Sequence, residues 1–326
     1  MRPEILIVGQ GLAGTLLAWE LERAGLAFEI ADAGHAGTAS AAAAGMISPI
    51  TGRRLVPSWR YETLRPIARD AYRAIEAALG VPLWREMRVR RLFADTREQE
   101  IFSERHARGE FAPWLVGHDD AGFSVNGAAH VDVERLLTAS RTRWRAAGWL
   151  REEVVDVMAE VRRRRCVIDC TGLVAARAAP WAFLPWEFSK GEIITVAVER
   201  LAPELIVNRR EWVVPSGPGA AWIGATHEAG VTDPATTTAA REKLIAAGAA
   251  LLGAAHGLAV TGQRAGVRVA VRDKRPVAGR HPQHAALGII NALGAKGALW
   301  APWLARLWVG HLARGEPFAP EVDVRR

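Results

Sequence analysis

The sequence predicts an α/β chain (α+β overall): a parallel-sheet domain with an antiparallel-sheet domain inserted into it. Three observations carry that prediction. The chain opens on four apolar residues, Ile5-Leu6-Ile7-Val8, that pass straight into Gly9-Gln10-Gly11-Leu12-Ala13-Gly14. It closes on a similar unit, a strand over residues 286–291, the turn Gly294-Ala295-Lys296-Gly297 and a helix to Arg314. Between them, β-rich segments at 191–198, 211–215 and 222–226 are separated by turn residues such as Ser216-Gly217-Pro218-Gly219 and read as antiparallel strands.

The opening run suits a strand buried on both faces. Gly9 lets the chain turn, Gly11 lets the backbone approach a pyrophosphate, and Gly14 lets the following helix pack on the strand. The helix N-terminus then offers free N–H groups to phosphate charge. A second strand over 28–30 ends at Asp32, placed to accept from a ribose 2′-OH. A carboxylate there favours an unphosphorylated ribose, so this Rossmann-like unit is expected to take FAD or NAD rather than NADP.

Residues 39–49, small and ending in Gly and Pro, are expected to form a second helix N-terminus against which a large flat ligand can lie. A helix over 64–79 follows, with Leu64, Ile67, Ala68, Ala71, Ile75 and Ala78 on one face and Gly80 and Pro82 at its end. A strand is expected at 88–93, a charged helix at 97–108, and a helix at 131–145 capped by Asp132 and stopped by Gly148. Strand, turn and strand follow at 154–157, 162–165 and 167–169, ending in the tight turn Cys170-Thr171-Gly172, and a further helix covers 241–252. The dinucleotide domain is therefore expected from residues 1–63, 128–183 and 262–326, and the inserted domain from 64–127 and 184–261.

At 326 residues the chain has room for two domains. Half of it is hydrophobic, yet no run of about twenty apolar residues occurs, so no segment is expected to insert stably in a membrane. The first strand begins at Ile5, which leaves no room for an export signal and points to the cytoplasm. Cys166 and Cys170 lie on or beside a strand, without CxxC spacing or neighbouring histidines; buried thiols are expected, and neither a disulfide nor a metal site. A net charge of +7 raises nucleic acid as a partner. The arginines are scattered, however, and the one dense run, Arg162-Arg163-Arg164-Arg165, is expected in a solvated hairpin turn. The sequence offers no physical account of thirteen tryptophans against two tyrosines.

Several motifs, in this order, resemble the D-amino-acid oxidase superfamily of FAD enzymes, closest to its glycine oxidase branch. They are Ala41-Ala42-Ala43-Ala44-Gly45-Met46, Cys170-Thr171-Gly172, Trp212-Val213-Val214-Pro215 with Ile223-Gly224-Ala225-Thr226, and Ala265-Gly266-Val267-Arg268 with Asp273-Lys274-Arg275-Pro276 and Gly279-Arg280-His281-Pro282. The closing Gly294-Ala295-Lys296-Gly297-Ala298-Leu299 belongs to the same series. The resemblance implies non-covalent FAD. By position, Gly9, Gly11, Leu12, Ala13, Gly14, Asp32 and Ala33 serve the adenosine and pyrophosphate end, and Ala39, Ser40, Ala44, Gly45 and Met46 run from pyrophosphate to isoalloxazine. Val154, with Val155 the near alternative, faces adenine through its backbone. Thr171 and Gly172 form the third flavin-domain turn, and Gly294, Ala295, Lys296, Gly297 and Ala298 lie against the ring.

The resemblance also implies that Arg268 grips a substrate carboxylate, for which a guanidinium fork is matched. Lys296 either anchors an anionic substrate, sits near the flavin edge or is a solvated loop residue. Trp212 stands where relatives often place a tyrosine whose hydroxyl reaches substrate. His227, His281 and His284 receive no role, because in this family the amine loses its proton and hydride passes from the α-carbon to flavin N5. The chain is shorter than typical members, which implies a trimmed inserted domain and a more open site. Residues 51–60, Thr-Gly-Arg-Arg-Leu-Val-Pro-Ser-Trp-Arg, read either as a solvated turn or as an anion-reading segment at the pocket mouth.

The leading expectation is therefore an FAD-dependent oxidoreductase acting on the C–N bond of an amino acid or N-substituted glycine. The imine product would hydrolyse, and electrons would pass to O2 or another acceptor. The alternative is a tRNA-modifying oxidase acting on an N-substituted glycine group of a wobble uridine, which the basic charge and Arg53, Arg54 and Arg60 fit. A second alternative is a flavin-binding subunit without catalysis. A weak membrane contact through the apolar helix bearing Trp300, Trp303, Leu304, Leu307 and Trp308 competes with burial of that face against the flavin domain.

Overall fold

Two sheets organise the computed structural model, which describes residues 3–34, 37–253 and 257–326. The first has six strands in the order Val277–Arg280, Leu287–Asn291, Cys166–Asp169, Ile5–Val8, Phe28–Ala31, Leu150–Arg151. All neighbours run parallel except Val277–Arg280, which is antiparallel to Leu287–Asn291. Ile5–Val8 is wholly buried because both faces of the sheet are covered. Ile5 and Ile7 pack against the helices Leu12–Arg23 and Gly297–Arg314, whereas Leu6 and Val8 meet Val155, Val157 and Val161 on the opposite face.

The C-terminal helix resolves the question of its apolar face. Trp300, Trp303, Leu304 and Trp308 are buried in the core shared with Leu12–Arg23 and with the helix Tyr61–Leu79. Among the described residues no helix is long and apolar enough to cross a membrane. The tryptophans also acquire a role here: Trp19, Trp84, Trp144 and Trp308 fill this one core.

The second sheet has ten strands. Its axis is Trp186–Val198, paired along its whole length with Leu258–Val271 and on its other side with Ala220–Gly224. Trp212–Gly217, Leu205–Asn208, Trp84–Leu92, Gly122–Val131 and Met46–Ile47 follow outward. The pairing is antiparallel throughout except at Leu205–Asn208 and Trp84–Leu92, which run parallel, so the expected purely antiparallel sheet carries one parallel joint.

Four local expectations need correction. Residues 38–42 form turns rather than a helix start, and Met46–Ile47 adds a strand to the second sheet through His130 and Ala129. That choice is set by tertiary contact: the Gly45 carbonyl accepts from Val131 N at 2.9 Å, in place of a helical partner. Residues 154–157 are not a strand, because the Asp156 carboxylate caps the short helix Val157–Val161, accepting from Met158 N and Ala159 N at 2.9 and 3.1 Å. The arginine run therefore follows a helix rather than a hairpin. Arg162, Arg163 and Arg165 are exposed, while Arg164 is withdrawn into ion pairs with Glu29 (2.5 Å) and Glu160 (3.2 Å). The helix read over 64–79 begins at Tyr61, and its Ala78 is exposed.

Candidate active site

The glycine motif takes the geometry its spacing implies. Gly9 has φ +95°, and a Cβ there would lie 2.9 Å from the Cys170 backbone. A Cβ on Gly14 would strike the Gly9 carbonyl, so each position admits only glycine. The helix begins at Leu12, whose amide donates to Ser40 Oγ at 3.0 Å. This bond joins the pyrophosphate turn to the small-residue loop. The remaining first-turn amides, those of Ala13 and Gly14, have no partner within the helix.

Asp32 ends the second strand as expected. Its Oδ2 accepts from Gln10 N at 2.7 Å, and its Oδ1 from Gly34 N at 2.8 Å and Arg141 Nη1 at 2.7 Å. Ala33 beside it is exposed. Thr171 is fixed by two bonds to Asp169 Oδ1, from its amide at 3.1 Å and its hydroxyl at 2.6 Å. Burial raises the Asp169 carboxyl. Gly172 follows with φ +59° and open space on its Cβ side. Val154 stands apart, 85% exposed beyond the edge strand, whereas Val155 packs inward on Leu6 and Val8.

The small-residue loop lies directly on the long strand Leu258–Val271. A Cβ on Gly266 would come within 2.8 Å of Ala39 Cα and 3.0 Å of Ala42 Cβ. Ala44 and Met46 pack farther along with Ile50, Trp212 and Ala225. Met46 is paired with His130, whose imidazole is driven down to about 3 by burial and by Arg85 and is therefore neutral. The closing loop reaches the same place. Gly294 N donates to Val269 O at 2.9 Å, a Cβ on Gly297 would lie 3.1 Å from Leu12 Cδ2, and Ala298 O accepts from Tyr72 Oη at 2.9 Å. Gly294 is open on its Cβ side and Ala295 is exposed. Four segments distant in sequence (9–14, 38–46, 171–172 and 293–298) thus border one region, with glycines lacking side chains where a flat ligand needs close approach.

One face of the second sheet carries the expected substrate residues. Arg268 lies opposite Ser189, and its guanidinium covers Gly191 so closely that a Cβ there would overlap it. Trp212 lies on the same face, its ring over Gly224. Burial pulls the Arg268 guanidinium below the usual arginine range. Among the described residues its one hydrogen bond to protein is long, 3.4 Å from Nη1 to Thr226 O, and no carboxylate pairs with it. A desolvated, unpaired guanidinium is costly unless a ligand supplies the anion.

Lys296 is not a solvated loop residue. Its Nζ donates to Thr51 Oγ1 at 3.1 Å and Ser58 Oγ at 3.2 Å and sits 5.9 Å from the Trp300 ring centroid. Burial and, secondarily, Arg275 lower it to about 8. Residues 51–60, left open between two readings, are thereby placed against Lys296. Arg275 lies 4.3 Å from the Trp59 ring centroid and Arg60 lies 5.0 Å from that of Trp303, while Arg53 and Arg54 are exposed. Arg141 escaped the sequence reading, and Thr51, Ser58 and Gln10 entered it only as members of longer segments, since nothing local distinguishes them from other polar residues. His281 is structural: Nδ1 accepts from Gln283 N and His284 N at 3.0 and 3.2 Å, and Nε2 contacts Pro180 O at 2.8 Å.

The chain matches the DAO family, described as FAD dependent oxidoreductase, over residues 4–310. It belongs to that family. It is an FAD-dependent oxidoreductase, and the glycine cradle fits the cofactor. Among relatives, it is 30% identical over 333 residues to the tRNA 5-methylaminomethyl-2-thiouridine biosynthesis bifunctional protein MnmC of Maricaulis maris (strain MCS10), covering 96% of this chain and 52% of that protein. The chain therefore spans about half the length of that relative. It is 26% identical to glycine oxidase of Pseudomonas aeruginosa, covering 97% and 96% of the two chains. The crystal structure of glycine oxidase from Geobacillus kaustophilus superposes with a TM-score of 0.81 at 21% identity, covering 98% of each chain. That likeness shows the shared fold.

Proposed function

We propose that this member of the family oxidises the C–N bond of a small amino acid or N-substituted glycine, with Arg268 holding the substrate carboxylate. The observation that carries the reading is the half-buried guanidinium of Arg268, spread over Gly191 and unpaired by any carboxylate among the described residues. FAD supplies the two-electron acceptor when bound. It would be held non-covalently by Gly9, Gly11, Leu12, Ala13, Gly14, Asp32, Ala33, Ala39, Ser40, Ala44, Gly45, Met46, Val154, Thr171 and Gly172 and by the closing loop from Gly294 to Ala298. The protein's own contribution is orientation and exclusion of water. A bidentate grip on the carboxylate fixes the α-carbon, and the Trp212 indole walls the same sheet face. Two of the three Lys296 N–H groups are taken by Thr51 and Ser58, which leaves one donor for an anion. The two domains would follow the segments 1–63, 128–183 and 262–326, and 64–127 and 184–261, except that Met46–Ile47 and the whole of Gly122–Val131 and Leu258–Val271 belong to the sheet of the second.

Absorbance under anaerobic conditions tests this reading. Addition of glycine, sarcosine or other amino acids should bleach the flavin band near ~450 nm, and Arg268→Ala should lower kcat/KM about 100-fold or more, equivalent to roughly 3 kcal/mol. A flavin-loaded protein that no small amine bleaches would defeat it. That outcome favours a second reading, a macromolecular substrate such as tRNA. This second reading is supported by the relation to MnmC and by the exposed Arg53 and Arg54 on the segment that holds Lys296. It requires tRNA binding that weakens steeply with salt.

A further inference from the structure

The acid of the nucleotide site is itself held by an arginine. Arg141, on the helix Val133–Ala146, has a side chain only 11% exposed, and all five of its N–H groups are engaged. Nε donates to Glu152 Oε1 at 3.2 Å. Nη1 donates to Asp32 Oδ1 at 2.7 Å and to Gln10 Oε1 at 2.8 Å. Nη2 donates to the Asp32 carbonyl at 3.2 Å and to Glu152 Oε1 at 2.8 Å. No donor remains for a ligand.

The acceptors are shared just as specifically. Asp32 Oδ1 takes both Arg141 and Gly34 N, which fills its two lone pairs, whereas Oδ2 takes only Gln10 N among the described residues. Gln10, between the first two glycines of the motif, is in turn tied to the same helix by Nε2 donating to Leu137 O at 2.9 Å. Glu152 is held down to about 2 by Arg145 and Arg141, and Arg141 bridges it to the carboxylate of Asp32.

We infer that Arg141 is a positioning residue for the cofactor: it turns Asp32 so that Oδ2 alone, with one acceptor position left, meets the adenosine ribose through a single hydroxyl. The inference rests on Asp32 as the ribose acceptor. Arg141 acts through that carboxylate and not by touching the cofactor, because its own donors are exhausted. A lysine could not substitute, since three donors on one nitrogen cannot bridge Gln10 Oε1, Asp32 Oδ1, the Asp32 carbonyl and Glu152.

A double-mutant cycle on FAD affinity tests it, using apoprotein and quenching of flavin fluorescence. Arg141→Met and Asp32→Asn should each raise the Kd for FAD about tenfold or more. The double variant should bind no more weakly than the weaker single variant, the non-additivity expected of residues acting as one unit. Arg141→Lys, which keeps charge and helix propensity, covers the case in which the methionine form fails to fold; it too should raise Kd. Arg141 variants that bind FAD as tightly as the native protein overturn the inference, and so do additive effects, which denote a merely structural role. An Asp32→Asn variant with unchanged affinity removes the ribose reading as well, so the two failures are distinguishable.

Discussion

At the scale of single residues, Lys296 gives the clearest pH signature. Its ammonium is lowered from the ordinary 10.5 to about 8, mainly by burial, so the native state pays for the charged form below that pH. Between about 8 and 10.5 the unfolded chain holds a proton that the native chain has released, and native stability therefore rises with pH across that window. Relative to Lys296→Met, the native protein should gain in urea midpoint between pH 7 and pH 10. A difference that stays flat, or falls, would contradict the desolvated placement. Should Lys296 also contact an anionic substrate, binding of that substrate would weaken as pH passes about 8 in the native protein and not in Lys296→Met. Arg268 differs in kind: it remains charged across this range, so its contribution to carboxylate binding is independent of pH there.

At the scale of elements, the long strand Leu258–Val271 serves two purposes at once. It forms the edge partner of Trp186–Val198 and carries Arg268, and it also provides the surface on which residues 38–42 lie. Gly266 marks that contact. Gly266→Val improves intrinsic strand propensity, yet its side chain must displace Ala39 and Ala42, an overpacking that costs about 1–3 kcal/mol. FAD affinity should fall about tenfold or more, read as a lower flavin-to-protein absorbance ratio on purification. Gly262→Val in the same strand is the control: its Cβ would meet Thr195 at an ordinary 3.7 Å and FAD content should not change. Equal flavin content in both variants would show that the loop does not depend on this contact.

At the scale of the whole molecule, the proposed cofactor contacts are drawn from both ends of the chain and from two places between. Gly9–Cys170, Leu12–Ser40, Leu12–Gly297, Gly45–Val131 and Gly294–Val269 tie these stretches to one another. A ligand bridging them binds only the folded chain, so FAD should raise the melting temperature of the apoprotein by several degrees. At a hundredfold excess over Kd the added stability is ~2.7 kcal/mol. Melting unaffected by FAD, followed by circular dichroism, would sink this account of the site.

What the sequence determined by itself was whatever depends on short-range stereochemistry. The strand at Ile5–Val8, the turn and helix after it, Asp32 at the end of Phe28–Ala31, the cap Asp132 and the glycine turn before the last helix are all dictated by neighbours within a few residues. Arg268 was legible only through its place in a longer motif, because one arginine on a strand looks like another. Tertiary structure alone decided the rest. An alanine-rich stretch that favours helix by propensity became a turn and a strand because Gly45 found Val131, and residues 154–157 lost their strand to an aspartate cap. The placement of the Lys296 ammonium depended on Thr51 and Ser58, and the orientation of the Asp32 carboxylate on Arg141, partners separated by between 109 and 245 positions. Such pairings are settled when the two sheets and their helices close on one another, and burial and hydrogen-bond partners, which fix the charge and direction of each group, come into being only then.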